Sequence, residues 1–218
     1  MRVLLMCLSL GIIKTIPGCA QAPNATRPLP SGRALAAFMR PGYDTLKFES
    51  AIGELNQDSW PDRALVLRPT AEDTATERSG ELPPRVLLLL FGTPTGYVLA
   101  AQSAQLLLCK ECGGQFEPLG GLNIAKGVLT IDQMGGGSER WSISSKFRYQ
   151  KGAFYLIGET ISRTQNGPMC PIESSEDTNF ITGVSIVTTT LKSCEIVTKR
   201  MRRKPAPLRQ LVGYEIQP

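Results

Sequence analysis

Gly53-Glu54-Leu55-Asn56-Gln57-Asp58-Ser59-Trp60-Pro61-Asp62 leads directly into Arg63-Ala64-Leu65-Val66-Leu67, an oxygen-rich turn delivered straight to an apolar strand. Side-chain oxygens alternate at Glu54, Asn56 and Asp58, and another follows at Asp62. Calcium takes about six to eight oxygen ligands, and a tight loop supplies them from alternate positions plus a backbone carbonyl. With Glu54 at loop position 1, Asn56, Asp58 and Asp62 fall at positions 3, 5 and 9, and Trp60 offers its carbonyl at position 7. The spacing predicts a calcium-type loop with Ca2+ as its ligand. Its chemistry departs from the usual in two ways. Glu54 stands where Asp is common, and Gln57 and Ser59 stand where Gly eases the turn. The plain alternative is a polar turn before the strand over 63–67.

Outward from this loop the pattern is β. Residues 85–91 form an apolar run short enough for a buried strand, and 96–101 follow a Thr-Pro-Thr-Gly turn. Further strands are expected over 105–108, 122–124, 128–132, 141–149, 154–159, 180–190 and 195–199. Ile143/Phe147 and Arg148/Gln150 fall on alternate faces, as a half-buried strand requires. Ala125-Lys126-Gly127 and Lys151-Gly152 read as hairpin turns. Upstream, 34–39 is a short N-terminal helix stopped by Pro41. Residues 69–84 are polar and end in Pro83-Pro84, predicting a long surface loop. The expected fold is all-β, a single antiparallel β domain over 34–218, propeller-blade-like or a sandwich.

The amino terminus points to export. Arg2 is followed by an apolar run over 3–13, too short to span a bilayer as a helix and laid out like a secretory signal. Two cleavage readings compete. Ala20-Gln21-Ala22 resembles a small-residue site but places Pro23 after the cut. Ile16-Pro17-Gly18-Cys19 resembles a lipobox, with Cys19 carrying the lipid. The second is preferred, giving a signal peptide over 1–18, a lipid-anchored linker over 19–33, and a periplasmic, membrane-anchored lipoprotein of a Gram-negative cell. Residues 20–33, rich in Pro, Ala and Asn, suit a tether.

Six cysteines are present. Cys7 leaves with the signal and Cys19 takes lipid, so Cys109, Cys112, Cys170 and Cys194 are left to pair in an oxidising compartment. The expected pairs are Cys109–Cys112 and Cys170–Cys194. Thioredoxin-like chemistry at Cys109-Lys110-Glu111-Cys112 is disfavoured, because Gly113-Gly114 follows in place of a helix start.

The formal charge of +5 falls by two, to +3, when Arg2 and Lys14 leave with residues 1–18. The surplus gathers in Lys199-Arg200-Met201-Arg202-Arg203-Lys204. That run reads as a solvated strand end, a patch for anionic lipid or peptidoglycan, or a contact for an acidic protein. Nucleic acid is not expected, since no aromatic platform is interleaved with these cations.

The chain has no histidine, so Ser-His and Cys-His pairs and imidazole ligation are excluded. Glu159 with Asp132 is the paper candidate for a two-carboxylate glycosidase. Nothing in the sequence joins them, and both read more simply as exposed surface carboxylates. No enzyme activity is expected. Gly135-Gly136-Gly137-Ser138 lacks the following helix that a phosphate cradle needs, and reads as a flexible hairpin tip.

Several pieces together carry a resemblance. They are the loop at 53–67, Cys109-Lys110-Glu111-Cys112-Gly113-Gly114, Gly127-Val128-Leu129-Thr130-Ile131, Gly136-Gly137-Ser138-Glu139-Arg140-Trp141, Lys146-Phe147-Arg148-Tyr149, Phe154-Tyr155-Leu156-Ile157-Gly158 and Asn179-Phe180-Ile181-Thr182-Gly183. Over about 43–211 the chain resembles exported bacterial proteins built around an FG-GAP, integrin-α-like propeller-repeat loop. The resemblance extends to periplasmic lysozyme inhibitors and to immunity lipoproteins that neutralise peptidoglycan-hydrolase effectors. It implies a non-catalytic inhibitor whose partner is a peptidoglycan hydrolase or lysozyme-like protein. Hydrolase clefts are concave and lined with carboxylates, so a protruding loop of small residues with a cation can enter one. The tip at 134–140 is the candidate: Met134, Gly136, Gly137, Ser138 and Arg140, with Arg140 meeting the carboxylates. The Ser-Gly-x-x-Tyr tip of inhibitors of C-type lysozymes is absent. The alternative is a structural or adhesive envelope lipoprotein that uses its calcium-type loop for stability.

Overall fold

The computed structural model describes residues 32–73, 82–114 and 117–217, without the side chains at 46–49 and 73. The signal over 1–18, Cys19, the tether up to residue 31 and residues 74–81 of the expected surface loop lie outside the described residues. What is described is all-β. Eleven strands form two antiparallel sheets. The first carries β1 (Tyr43–Gly53), β2 (Asp62–Pro69), β3 (Val86–Thr93) and β4 (Gly96–Ser103). The second carries β5 (Leu119–Ala125), β6 (Val128–Gly136), β7 (Glu139–Gln150), β8 (Ala153–Gln165), β9 (Ile172–Asn179), β10 (Val184–Thr190) and β11 (Ile196–Arg202). Within each sheet every strand pairs with its neighbour in sequence, and the meander breaks only between β4 and β5.

Leu87, Leu88, Leu89 and Leu90 show why that run is unbroken by polar residues. Strand side chains alternate between faces. Leu87 and Leu89 point into the main core, where Ala64 and Val66 meet Leu129, Ile131, Phe147 and Leu156 of the larger sheet. Leu88 and Leu90 point the other way, joining Leu65, Leu67, Val86 and Phe38 in a second cluster. β3 is therefore covered on both faces. The cover on its far side comes from a 3-10 turn, Leu35–Phe38, which stands where a short helix over 34–39 was expected. Main-chain bonds of 2.8 Å in both directions between Arg33 and Tyr97 pin this segment to β4.

β1 and β5 approach each other at the loop of interest. A Cβ on Gly53 would stand 2.5 Å from Ile124 Cγ2, so this contact needs glycine. The chain end closes the core. Leu156 N donates to Arg209 O at 2.9 Å and Leu211 N to Phe154 O at 2.8 Å, and Leu211, Tyr214 and Ile216 are buried.

A charged group is locked inside as well. The Arg85 guanidinium is buried and donates to Glu72 at 2.8 and 2.9 Å and to Glu117 at 2.5 and 2.8 Å. Burial pushes the Glu117 carboxyl up, but the Arg85 hydrogen bonds and the Leu119 amide outweigh it and hold it below the ordinary range. Removing one partner of such a group leaves an uncompensated charge, at a cost of about 3–5 kcal/mol.

Both expected disulfides form, Cys109–Cys112 and Cys170–Cys194. No helix among the described residues is long and apolar enough to cross a membrane. Two strand expectations are corrected. Residues 105–107 form bends and 108 lies in no strand, although Leu106 and Leu107 are buried. The single strand over 180–190 is β10 alone, preceded by a turn at 180–183. β1 and β9 were not anticipated at all.

Candidate functional site

Glu54 leaves β1 and folds back over its own loop. Its Oε1 accepts from the amides of Asn56 (3.0 Å), Gln57 (2.6 Å) and Asp58 (3.3 Å), and its Oε2 from that of Ser59 (3.1 Å). Gln57 and Ser59 adopt φ of 68° and 73°, the positive values that turn these amides inward. Asn56 Oδ1 accepts from Asp58 N at 3.1 Å, and its Nδ2 donates to Asp58 Oδ2 at 2.8 Å. Asp58 Oδ1 accepts from Trp60 N at 2.8 Å, and the Trp60 side chain is exposed.

Asp62 is wholly buried and works at a distance from the turn. One carboxylate oxygen accepts from Leu55 N at 2.7 Å and the other from Gly92 N at 2.9 Å, clamping loop and β3 to the head of β2. Burial raises the Asp62 carboxyl, the two amides pull it back, and the charges of Glu54 and Asp58 add to the rise.

A calcium cage needs oxygens that converge. Here N–H groups converge, and they converge on a carboxylate. Among the described residues no group of three or more acidic, Cys or His side chains is arranged to hold a metal. The five predicted ligands thus lie in one loop, but as it stands the loop holds an anion of its own. Calcium would require Glu54 to leave those amides.

The second candidate lies at the far end of β6 and β7. β6 carries Met134 and ends at Gly136, the chain reverses over Gly137 and Ser138, and Arg140 pairs across to Gly136. The register puts Met134 opposite Ser142, Ser142 opposite Ser162, and Arg140 opposite Thr164. By strand alternation these side chains share the face away from the main core. With Gly135 and Trp141 they line a hollow of about 320 Å³. Met134 is 43% exposed, leaving an apolar wall beside the exposed Arg140.

This tip is braced, where a flexible hairpin tip was expected. Gly114 bridges to Gly136 in parallel pairing, and Met134 N donates to Pro118 O at 2.8 Å. The bracing turn, Lys110–Gly113, is closed by Cys109–Cys112. Gln133 ties it further: its Oε1 accepts from Leu108 N at 2.9 Å and its Nε2 donates to Leu106 O at 3.0 Å. Any Cβ on Gly135 would collide with Gly113 O and the Trp141 ring. Ser162 and Thr164 were not singled out from the sequence, because only the β7–β8 register brings them to the hollow.

Asp132 and Glu159 fall on opposite faces of the larger sheet, since Asp132 pairs with Ser144 and Glu159 with Ser145. Glu159 is buried at 8% exposure, contrary to the surface position expected of it. Comparison with protein-family models, curated proteins and solved structures returned no match to this chain.

Proposed function

We propose that the chain is an exported, non-catalytic binding protein that inhibits a peptidoglycan hydrolase, entering the enzyme's cleft with the tip at 134–140. The observation that carries this is the combination at one braced strand end: a cation at Arg140, an apolar wall at Met134, and a hollow of about 320 Å³ beside them. A pre-ordered tip loses little conformational freedom on docking, and Arg140 is suited to the carboxylates of a hydrolase cleft. Export of the FG-GAP-like lipoprotein type, with Cys19 as the anchor in a Gram-negative periplasm, would place the protein where such enzymes act. The two disulfides fit maturation outside a reducing compartment.

The decisive experiment is survival of a deletion strain pressed against its own parent, with the parental secretion systems shown to be active. Lysis rescued by the wild-type gene, but not by Arg140→Glu folded to the same melting temperature, is the expected result. Undiminished survival of the deletion strain would end the immunity reading. A second reading, a structural envelope lipoprotein, is favoured by the hydrogen-bonded closure of the loop at 54–62, which serves stability without a partner.

A further inference from the structure

A second cavity, of about 370 Å³, opens on the other face of β8, under the chain that returns after β11. Glu159 of β8 and Glu176 of β9 stand on this face, because Glu159 pairs with Thr178 and Ile161 with Glu176. Arg203, Lys204 and Arg209 come from the returning chain, which Arg203 N fastens to Gly183 O at 2.8 Å. Phe180 supplies the apolar floor, and Arg209 lies over its ring at 5.7 Å and over that of Tyr214 at 4.7 Å.

Glu159 is held firmly from one side only. Its Oε1 accepts from Ser145 Oγ at 3.1 Å and from the Tyr214 hydroxyl. Its Oε2 accepts no hydrogen bond among the described residues, and the residue as a whole is 8% exposed. Oε2 is not one of the buried atoms left without a partner, so it is reached from the cavity that Glu159 lines, and an acceptor open to a cavity is free to take a ligand's donor. The cations offer the complementary half. Among the described residues none of Arg203, Lys204 and Arg209 forms an ion pair with Glu159 or Glu176, although all five line the same space.

Opposite charges that share a cavity without meeting leave room for a molecule that carries both. A simple polyanion would meet two carboxylates, and a simple amine three cations. We propose that this cavity binds a small zwitterion, a free dipeptide or similar amino acid derivative, with its ammonium on Glu159 Oε2 and its carboxylate among Arg203, Lys204 and Arg209. The site is independent of the tip hollow, which uses the opposite face of β8.

The test titrates the purified protein with Ala-Ala, with N-acetyl-Ala-Ala and with Ala-Ala amide, following backbone amide resonances. Ala-Ala should shift the amides at 159–161, 176–185 and 203–209 with a Kd of about 1 mM or below. Each blocked form should bind at least about tenfold more weakly, as should the Glu159→Gln protein. Because Glu159 also supports Tyr214, the paired change Arg203→Ser with Lys204→Ser decides the matter if Glu159→Gln fails to fold; the bond to Gly183 is through the main chain. Absence of shifts at about 10 mM Ala-Ala, or equal binding by the blocked forms, would overturn the assignment.

Discussion

Glu54 is one methylene longer than the Asp usual at the head of such a loop, and that length lets its carboxylate reach amides up to Ser59. Four backbone donors depend on it. Glu54→Ala should lower stability by about 1–2 kcal/mol in urea unfolding, the scale of losing a capping carboxylate. With Glu54 held by the loop's own amides, millimolar calcium should leave the wild-type midpoint where EDTA leaves it, and a rise that Asp58→Ala abolishes would show Ca2+ bound in the loop. Tyr214 makes a pH prediction. Burial, then its hydrogen bond to Glu159, pushes the phenol above the ordinary tyrosine range. The folded state therefore keeps its proton after an unfolded chain begins to release it near pH 10, so stability falls as pH rises from about 10 upward. Tyr214→Phe should be less stable at pH 7 by about 1 kcal/mol, yet lose less between pH 9 and 11.

The strands differ in how much cover they receive. β2 and β3 are buried on both faces, whereas β11 is exposed along nearly its whole length. The outer arm, β9 to β11, is held instead by Cys170–Cys194, which joins the start of β9 to the turn before β11 across 24 residues. Replacing both cysteines by alanine should cost up to about 3 kcal/mol in the chain-entropy view. Hydrogen exchange should locate the loss: amides of β10 and β11 accelerate while those of β6 and β7 hold, and a uniform change would contradict an arm-specific role. The same gradient explains what was legible. Leu87–Leu90 and the half-buried β7 announced themselves, because apolar side chains had cores to fill. β9 reads Ile-Glu-Ser-Ser-Glu-Asp-Thr-Asn, and only its neighbours' ladders make it a strand.

At the scale of the molecule, the seven-stranded sheet separates the two proposed places of contact. Its outward face at the β6–β7 end presents Met134 and Arg140, and its inward face beyond the core presents Glu159 and the returning cations. The tip residues were readable as a glycine-rich turn beside a cation, while the second cavity was not. Its members come from residues 159 to 209, and sequence gives no hint that Glu159 lies beneath the chain end. Glu159 looked like one more surface acid until Ser145 and Tyr214 closed around it. The basic run at 199–204 also acquires a sense from position. β11 ends the sheet, with β10 on one side and no strand on the other among the described residues. An uncovered edge invites another chain to add itself, and the growth that follows is aggregation. Lys199, Arg200 and Arg202 put like charges along that rim, so that two copies meeting edge to edge repel before they can pair.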